Sequence, residues 1–229
     1  MSNFASSPSV QLKRVRLTWA DIYTIGKPMD GGKAKFKISA LFAPNSEAAS
    51  VASEAMIASA RLLWGANAEN MIRSMAANSK AIRQGNDKMD DKGNVREEYK
   101  DMLYISAANE SRPQIVGPKR IEQNGKMVFV DIAEDGRAYA NGLLLDPPPY
   151  KIVVPYRGCY VNLKVQFVAG KSFTTPDKKI LPNQVYAKLE AIQFVEDGIA
   201  FGAGPTSAEG FGDEEVETTG ATADAASLF

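Results

Sequence analysis

The stretch "CYVNLKVQFVAG" (159–170) sets the terms on which this chain can fold. Val161, Leu163, Val165 and Phe167 alternate with Tyr160, Asn162, Lys164 and Gln166. A period of two places one set on each face of an extended strand, so the segment reads as a β-strand with one side buried. The alternation recurs in "LKRVRLTW" (12–19), where Val15, Leu17 and Trp19 share one face and Arg14, Arg16 and Thr18 the other. In "KAKFKISALF" (33–42), Phe36, Ile38, Ala40 and Phe42 oppose Lys33, Lys35, Lys37 and Ser39. Strands of this kind predict a sheet that covers a core and offers a cationic surface.

Further short apolar runs, "KDMLYISAA", "RPQIVGP", "KMVFVDI", "YKIVVPY" and "QVYAKLEAIQFVEDG", are separated by Gly, Pro, Asn and Asp and read as strands. "PNSEAASVASEAMIASARLLWG" predicts a helix capped by Asn45 or Ser46 and ended by Gly65, with Val51, Ala55, Ala58 and Leu62 in one row. A weaker helix follows and stops at Gly85, so the helical insertion covers about 45–85. Parallel sheets need a helix after most strands, so the pattern favours a mainly β fold, a small antiparallel barrel interrupted by helix. Residues 1–10 are small and polar and are expected to be disordered. The folded domain is expected over 11–205 and a tail over 206–229.

At 229 residues, 45% apolar and 24% charged, the chain can bury a core, and no apolar run approaches the ~20 residues of a membrane span. The N-terminus shows no secretory pattern, and the one cysteine, Cys159, sits in an apolar strand position where a core role is expected. These features fit a reducing cytoplasm. There is no histidine, which removes the commonest general base and most zinc sites. No Ser has Lys three residues later, so lysine-based serine catalysis lacks support too.

"NDKMDDKGNVREE" resembles a calcium loop only superficially. Aligning Gly93 with the required glycine puts Lys88 and Lys92 at ligand positions and Tyr99 where the bidentate Glu belongs. Asp87, Asp90, Asp91, Glu97 and Glu98 could hold magnesium, but on a lysine-containing loop they read as a solvated face. "GIAFGAGPTS" lacks the third glycine and the helix of a dinucleotide loop, and nothing matches a P-loop. Neither a metal nor another cofactor is expected.

Net charge is zero but unevenly placed. The last basic residue is Lys188, and nine acids follow it, which leaves residues 1–188 with a balance of +9. A basic body suggests a polyanion partner. Basic residues are interleaved with aromatics on the predicted strands and loops. Those before the last strands are Arg14, Arg16, Tyr23, Lys33, Lys35, Lys37, Tyr104 and Arg112. The later ones are Tyr156, Arg157, Tyr160, Lys164, Lys171 and Phe173. Single-stranded nucleic acid needs cations for its phosphates and flat π-faces for its unstacked bases, so this set is the expected DNA-binding surface. No helix carries a base-reading basic stripe, which disfavours duplex DNA.

"RGCYVNLKVQF" (157–167), "VYAKLEAIQFVEDGIAFGAG" (185–204) and "ESRPQIVGP" (110–118) resemble segments of tailed-phage single-stranded-DNA-binding proteins, a likeness extending over most of 10–204. The resemblance implies an OB-fold, a five-stranded Greek-key barrel with inserted helices. It also implies no catalysis, and protection of single strands in phage replication and recombination within the host cytoplasm. The residues carried over, Tyr160, Asn162, Gln193, Phe194, Asp197 and Gly198, are expected to define the barrel.

Residues 206–229 hold six acids and no Lys or Arg, a composition that cannot fold alone. Asp213, Glu214, Glu215 and Glu217 are expected to imitate DNA phosphates, and Leu228 and Phe229 to plug a pocket on a replication partner or the binding groove itself when DNA is absent. Two other classes compete with this reading: a carboxylate-metal nuclease, and a phage structural or assembly protein on which the basic face is incidental.

Overall fold

The computed structural model describes residues 2–26, 33–174, 178 and 180–201. In chain order the strands begin with β1 (Phe4–Ser6), β2 (Val10–Gly26) and β3 (Lys35–Phe42). Helices α1 (Glu47–Trp64) and α2 (Ala68–Ser74) precede β4 (Ile82–Gln84) and β5 (Leu103–Asn109). A β-ribbon follows, of β6 (Gln114–Gln123), β7 (Lys126–Ile132), β8 (Ala138–Ala140) and β9 (Leu143–Leu144). The last strands are β10 (Tyr160–Gly170), the short hairpin β11 (Phe173–Thr174) and β12 (Ile180–Leu181), and β13 (Gln184–Glu196).

Strand β10 pairs antiparallel with both β2 and β13. β2 pairs with β3, and β3 with β5, while β5 meets β13 through a short parallel contact at Ala107↔Ala187 and Ala108↔Lys188. These five strands close on themselves as an OB-type barrel. Its interior is the alternating set read from the sequence. Val161, Leu163, Val165 and Phe167 of β10 are fully buried, facing Leu12, Val15 and Leu17 of β2 and Leu189 and Ile192 of β13. Cys159 joins them at 0% exposure, and burial pushes its thiol above the ordinary range.

Helix α1 starts where Ser46 accepts the Ala49 N–H, and ends at Gly65, whose φ of 58° suits a residue without Cβ. It packs against β2 and β10. Its buried face is Ala48, Ala52, Ala55 and Ser59, not the predicted row, since Leu62 is 68% exposed. Small side chains on that face let the helix approach the sheet closely. The second helix ends at Ser74, well short of Gly85, and Lys80–Gln84 run extended toward β5.

Three other expectations are corrected. The N-terminus is ordered: β1 pairs with β10, and Ser7 donates its N–H to the Phe167 carbonyl, because β10 would otherwise present an open edge there. "YKIVVPY" forms no strand; Ile152, Val153, Val154 and Tyr156 pack on the core as irregular chain. On β2 the alternation is broken twice. Arg14 has φ of 52°, and the register slips between Leu17 and Trp19. Thr18 is consequently buried at 3% exposure and Trp19 turned out at 47%.

Replacing Phe167 by Ala should therefore destabilise the protein by about 3–5 kcal/mol, whereas Leu62→Ala should stay within about 0.5 kcal/mol. Urea unfolding of the two variants would check both values, and a small loss at Phe167 would contradict the barrel core described.

Candidate nucleic-acid interface

Strand β3 keeps strict alternation, so Lys35, Lys37 and Ser39 project from the barrel beside Ser106 and Ala108 of β5. Trp19, expelled by the β2 bulge, stands next to them because Trp19 pairs with Ser39. Together they floor a groove of about 1310 Å³. Phe173 and Leu181 of the β11–β12 hairpin, Tyr186 of β13 and Phe4 of β1 form one wall. Phe173 meets Phe4 edge-on at 6.0 Å between ring centres. Lys88, Met89 and Arg96 from the loop after β4 form the opposite wall.

That loop, expected to be a solvated face, is built by its own hydrogen bonds. Asp90 Oδ1 accepts the Lys92 and Asn94 N–H groups, which hold its carboxyl below the ordinary range. Asn86 and Asp101 bond reciprocally across its base. Tyr99 anchors it: its hydroxyl donates to Thr18 Oγ1 at 2.9 Å, and Thr18 Oγ1 donates to the Ser39 carbonyl at 3.1 Å. The Thr18 bulge thus serves both walls, since it turns Trp19 out and receives the loop. Among the described residues no cluster of acids or Cys is arranged to hold a metal ion.

Among the described residues, six cations (Lys33, Lys35, Lys37, Lys88, Arg96, Arg157) line the groove against one acid, Glu110. Lys33 pairs with Glu110 at 3.4 Å and Lys37 with Asp21 at 3.6 Å, both solvent-screened contacts of small worth. Burial, and then the charges of Arg83 and Arg96, hold the Lys88 ammonium below the ordinary lysine range. Crowded cations of this kind are relieved by an anion. Arg157 donates from Nε to the Thr18 carbonyl at 2.8 Å, and its guanidinium lies 5.5 Å from the Trp19 ring centre. Phe201 donates its N–H to the Arg157 carbonyl at 3.2 Å, so the chain leaves β13 at the groove's rim.

Of the residues expected to touch DNA, the groove gathers Lys33, Lys35, Lys37, Arg157 and Phe173. The others lie elsewhere. Arg14 and Arg16 flank the Tyr160 ring at 5.4 and 5.9 Å, and Arg14 is also ion-paired to Glu196 at 2.7 Å. Arg16 further donates to the Ile199 carbonyl at 2.8 Å and lies 4.0 Å from the Phe201 ring. The Tyr156 hydroxyl donates to the Gly198 carbonyl and accepts the Gly198 N–H. These side chains hold the segment that leaves β13. Tyr104 is buried against Tyr99, centroids 5.6 Å apart, and is no exposed platform.

Tyr23 packs on the core under Arg112, and burial raises its hydroxyl pKa well above the ordinary range. Lys171 donates its backbone N–H to Asn3 beside β1. Lys164 pairs with Glu190 at 3.4 Å in a separate hollow. Asp213, Glu214, Glu215, Glu217, Leu228 and Phe229 lie outside the described residues. The sequence reading missed Trp19, Tyr186, Lys88 and Arg96. The signal for Trp19 was present, a tryptophan inside a basic strand, but strict alternation put it in the core.

A closed five-strand barrel with a groove over its β3 and β5 strands defines an OB-type binding protein. The family model described as Enterobacter phage Enc34, ssDNA-binding protein, matches residues 8–221, and the chain belongs to that family. The solved structure of the single-stranded DNA-binding protein from bacteriophage Enc34 in complex with ssDNA has the same fold. It matches with a TM-score of 0.53 and 17% identity over 85% of this chain and 89% of that one. Protein p50 of Acyrthosiphon pisum secondary endosymbiont phage 1 is 34% identical over 120 residues, and that match spans 50% of this chain and 45% of the relative.

Tyr99→Phe keeps the ring and removes one buried hydrogen bond, so it should cost about 1 kcal/mol and loosen the loop at 85–101. Urea unfolding and limited proteolysis of the loop would show this, and an unchanged cleavage rate would mean that the bond anchors nothing.

Proposed function

We infer that this protein is a non-enzymatic, sequence-tolerant binder of single-stranded DNA that protects strands during phage replication and recombination in the host cytoplasm. The observation that carries the reading is the groove itself: Lys35 and Lys37 on β3, with Lys33 just before it, beside the exposed faces of Trp19, Phe173 and Tyr186. Mobile ammonium groups suit phosphates of any sequence, and aromatic faces suit any unstacked base. Duplex bases cannot reach such platforms. Family membership supports the same conclusion.

Titration of fluorescent oligothymidylate against matched duplex at two salt concentrations tests it. Binding should weaken with salt at a log–log slope of roughly −0.7 per phosphate, about −3 for four contacts. Trp19→Ala should cost ~1–3 kcal/mol of binding while folding is preserved. Equal affinity for duplex, or a slope near zero, would defeat the reading; cleavage of labelled strands with magnesium would favour a nuclease.

The acidic residues after 205 act on the same groove in this reading. The last described residue, Phe201, lies beside Arg157, so the six carboxylates after residue 205 are tethered near the groove and compete with DNA at high effective concentration. Leu228 and Phe229 serve replication partners, and self-association into a homo-oligomer belongs to the same reading with no segment assigned to it. Truncation after Pro205 should raise affinity for single strands, most at low salt where charge is least screened. Phe229→Ala should leave DNA affinity alone and weaken pull-down of replication proteins. Unchanged DNA affinity after truncation would remove the competition.

A further inference from the structure

The groove is not the only concave basic surface on the outside of the barrel. A hollow of about 480 Å³ opens where β13 exchanges its partner β5 for β6. Its lining includes Arg120 and Gln114 from β6, Phe129 from β7, Lys164 from β10 and Gln193 from β13. The Arg120 guanidinium lies 4.2 Å from the centre of the Phe129 ring, which makes a flat cationic surface with an aromatic backing. Guanidinium planes stack on bases and also donate to phosphates, whereas the amides beside it are already engaged, Gln114 donating to Asp131 Oδ1 at 2.8 Å and Gln193 to the Gly117 and Pro118 carbonyls. Glu190 lines the hollow and opposes its cations: it takes a hydrogen bond from Ser9 at 2.8 Å and pairs with Lys164 at 3.4 Å.

The hollow and the groove share one strand. On the outer face of β13, Tyr186 lines the groove, Lys188 is exposed beyond it, and Glu190 and Gln193 line the hollow. The path from Tyr186 to Gln193 is seven residues, about 23 Å at the ~3.3 Å rise of a strand. That length accommodates no more than about seven stacked nucleotides, within the ~4–16 that one OB fold covers. Lys188 supplies positive charge between the two sites.

We propose that a single strand long enough to leave the groove continues over Lys188 into this hollow, where Arg120, backed by Phe129, and Lys164 hold its outlying nucleotides. The extension rests on the groove being the primary site. In the absence of DNA, Glu190 occupies Lys164; a phosphate then competes with that carboxylate, which makes Glu190 an opponent of binding at the second site.

The test is the dependence of affinity on strand length in the full chain. Oligothymidylates of about 5 and about 15 nucleotides bracket the span of an OB fold. Arg120→Ala should bind the short strand as the unaltered protein does and the long strand about tenfold more weakly, with a salt slope shallower by about 0.7. Glu190→Gln keeps an acceptor for Ser9 and releases Lys164, so it should strengthen binding of the long strand alone. Effects of equal size on both lengths, or none on either from both variants, would overturn the extension. Trp19→Ala separates the two readings: loss at both lengths with no effect of Arg120→Ala leaves the groove standing and removes the hollow. An unaltered protein that binds neither strand overturns both.

Discussion

The double pairing of β10 is the constraint on which the rest of the molecule depends. Bonded to β13 along its whole length and to β2 along its first half, it converts an open sheet into a closed wall around Leu163, Val165 and Phe167. Just before it, the Gly158 N–H donates to the Leu17 carbonyl and the Leu17 N–H to the Cys159 carbonyl. These two bonds fix the approach to β10 against the second bulge of β2. Gly158 has φ of 109° and lies against Ile199 and Ala200, leaving no room for a side chain. Closure, bulge and chain exit are therefore settled at one place, and Arg157 is delivered there to Thr18 and Trp19.

From this follows how much of the molecule the sequence disclosed. β3 and β10 are regular where they face the core, so the alternation of Ile38 and Ala40, or of Val161 to Phe167, reports burial directly. The lysines of β3 fall on the groove for the same reason. β2 is equally rich in alternating residues, yet a left-handed Arg14 and an extra Thr18 each shift the phase by one. No local composition marks those shifts, because the partners that impose them, β10 and β3, are distant in sequence. Trp19 was misplaced by one residue of register and the groove's leading aromatic was lost with it. The first helix runs between Ser46 and Gly65 as read, but its buried face was misread for a different reason. The predicted row followed the larger side chains, whereas the buried face is alanine and serine, chosen by proximity to β2 and β10 and not by hydrophobicity.

The loop between β4 and β5 shows how a polar segment becomes part of a site. Its composition predicts solvation, and its acids do meet water, but Asp90 and the Asn86–Asp101 exchange fold it before any ligand is considered. Tyr99 then locks it to Thr18, the same residue that expels Trp19. A loop ordered in advance brings Lys88 and Arg96 to the groove without the entropic cost of fixing them on binding. The penalty is burial first and cation crowding second, both lowering Lys88, and the crowding is offset when a polyanion arrives.

The interleaving of basic and aromatic residues was read as a DNA surface, and in the structure arginines, together with Lys88 at 5.3 Å from the Tyr104 ring centre, lie over rings of the same chain. Arg14 and Arg16 lie over Tyr160, Arg83 over Tyr104, Arg112 over Tyr23, Arg120 over Phe129 and Arg157 over Trp19. A guanidinium is planar and weakly hydrated, so it stacks on a ring of its own chain and gains roughly 0.5–1 kcal/mol at exposed sites. An ammonium is strongly hydrated and mobile and gains less from staying put. Lys33 and Lys37 accordingly hold only long, exposed ion pairs, which an arriving phosphate can replace at little cost. The same sequence pattern thus encodes two different things. Where Arg14 and Arg16 meet Tyr160, the cations are satisfied within the chain and hold its exit from β13. Where lysines alternate along β3 with an aromatic turned out beside them, the charge is left available, and that is where a strand of any sequence can lie.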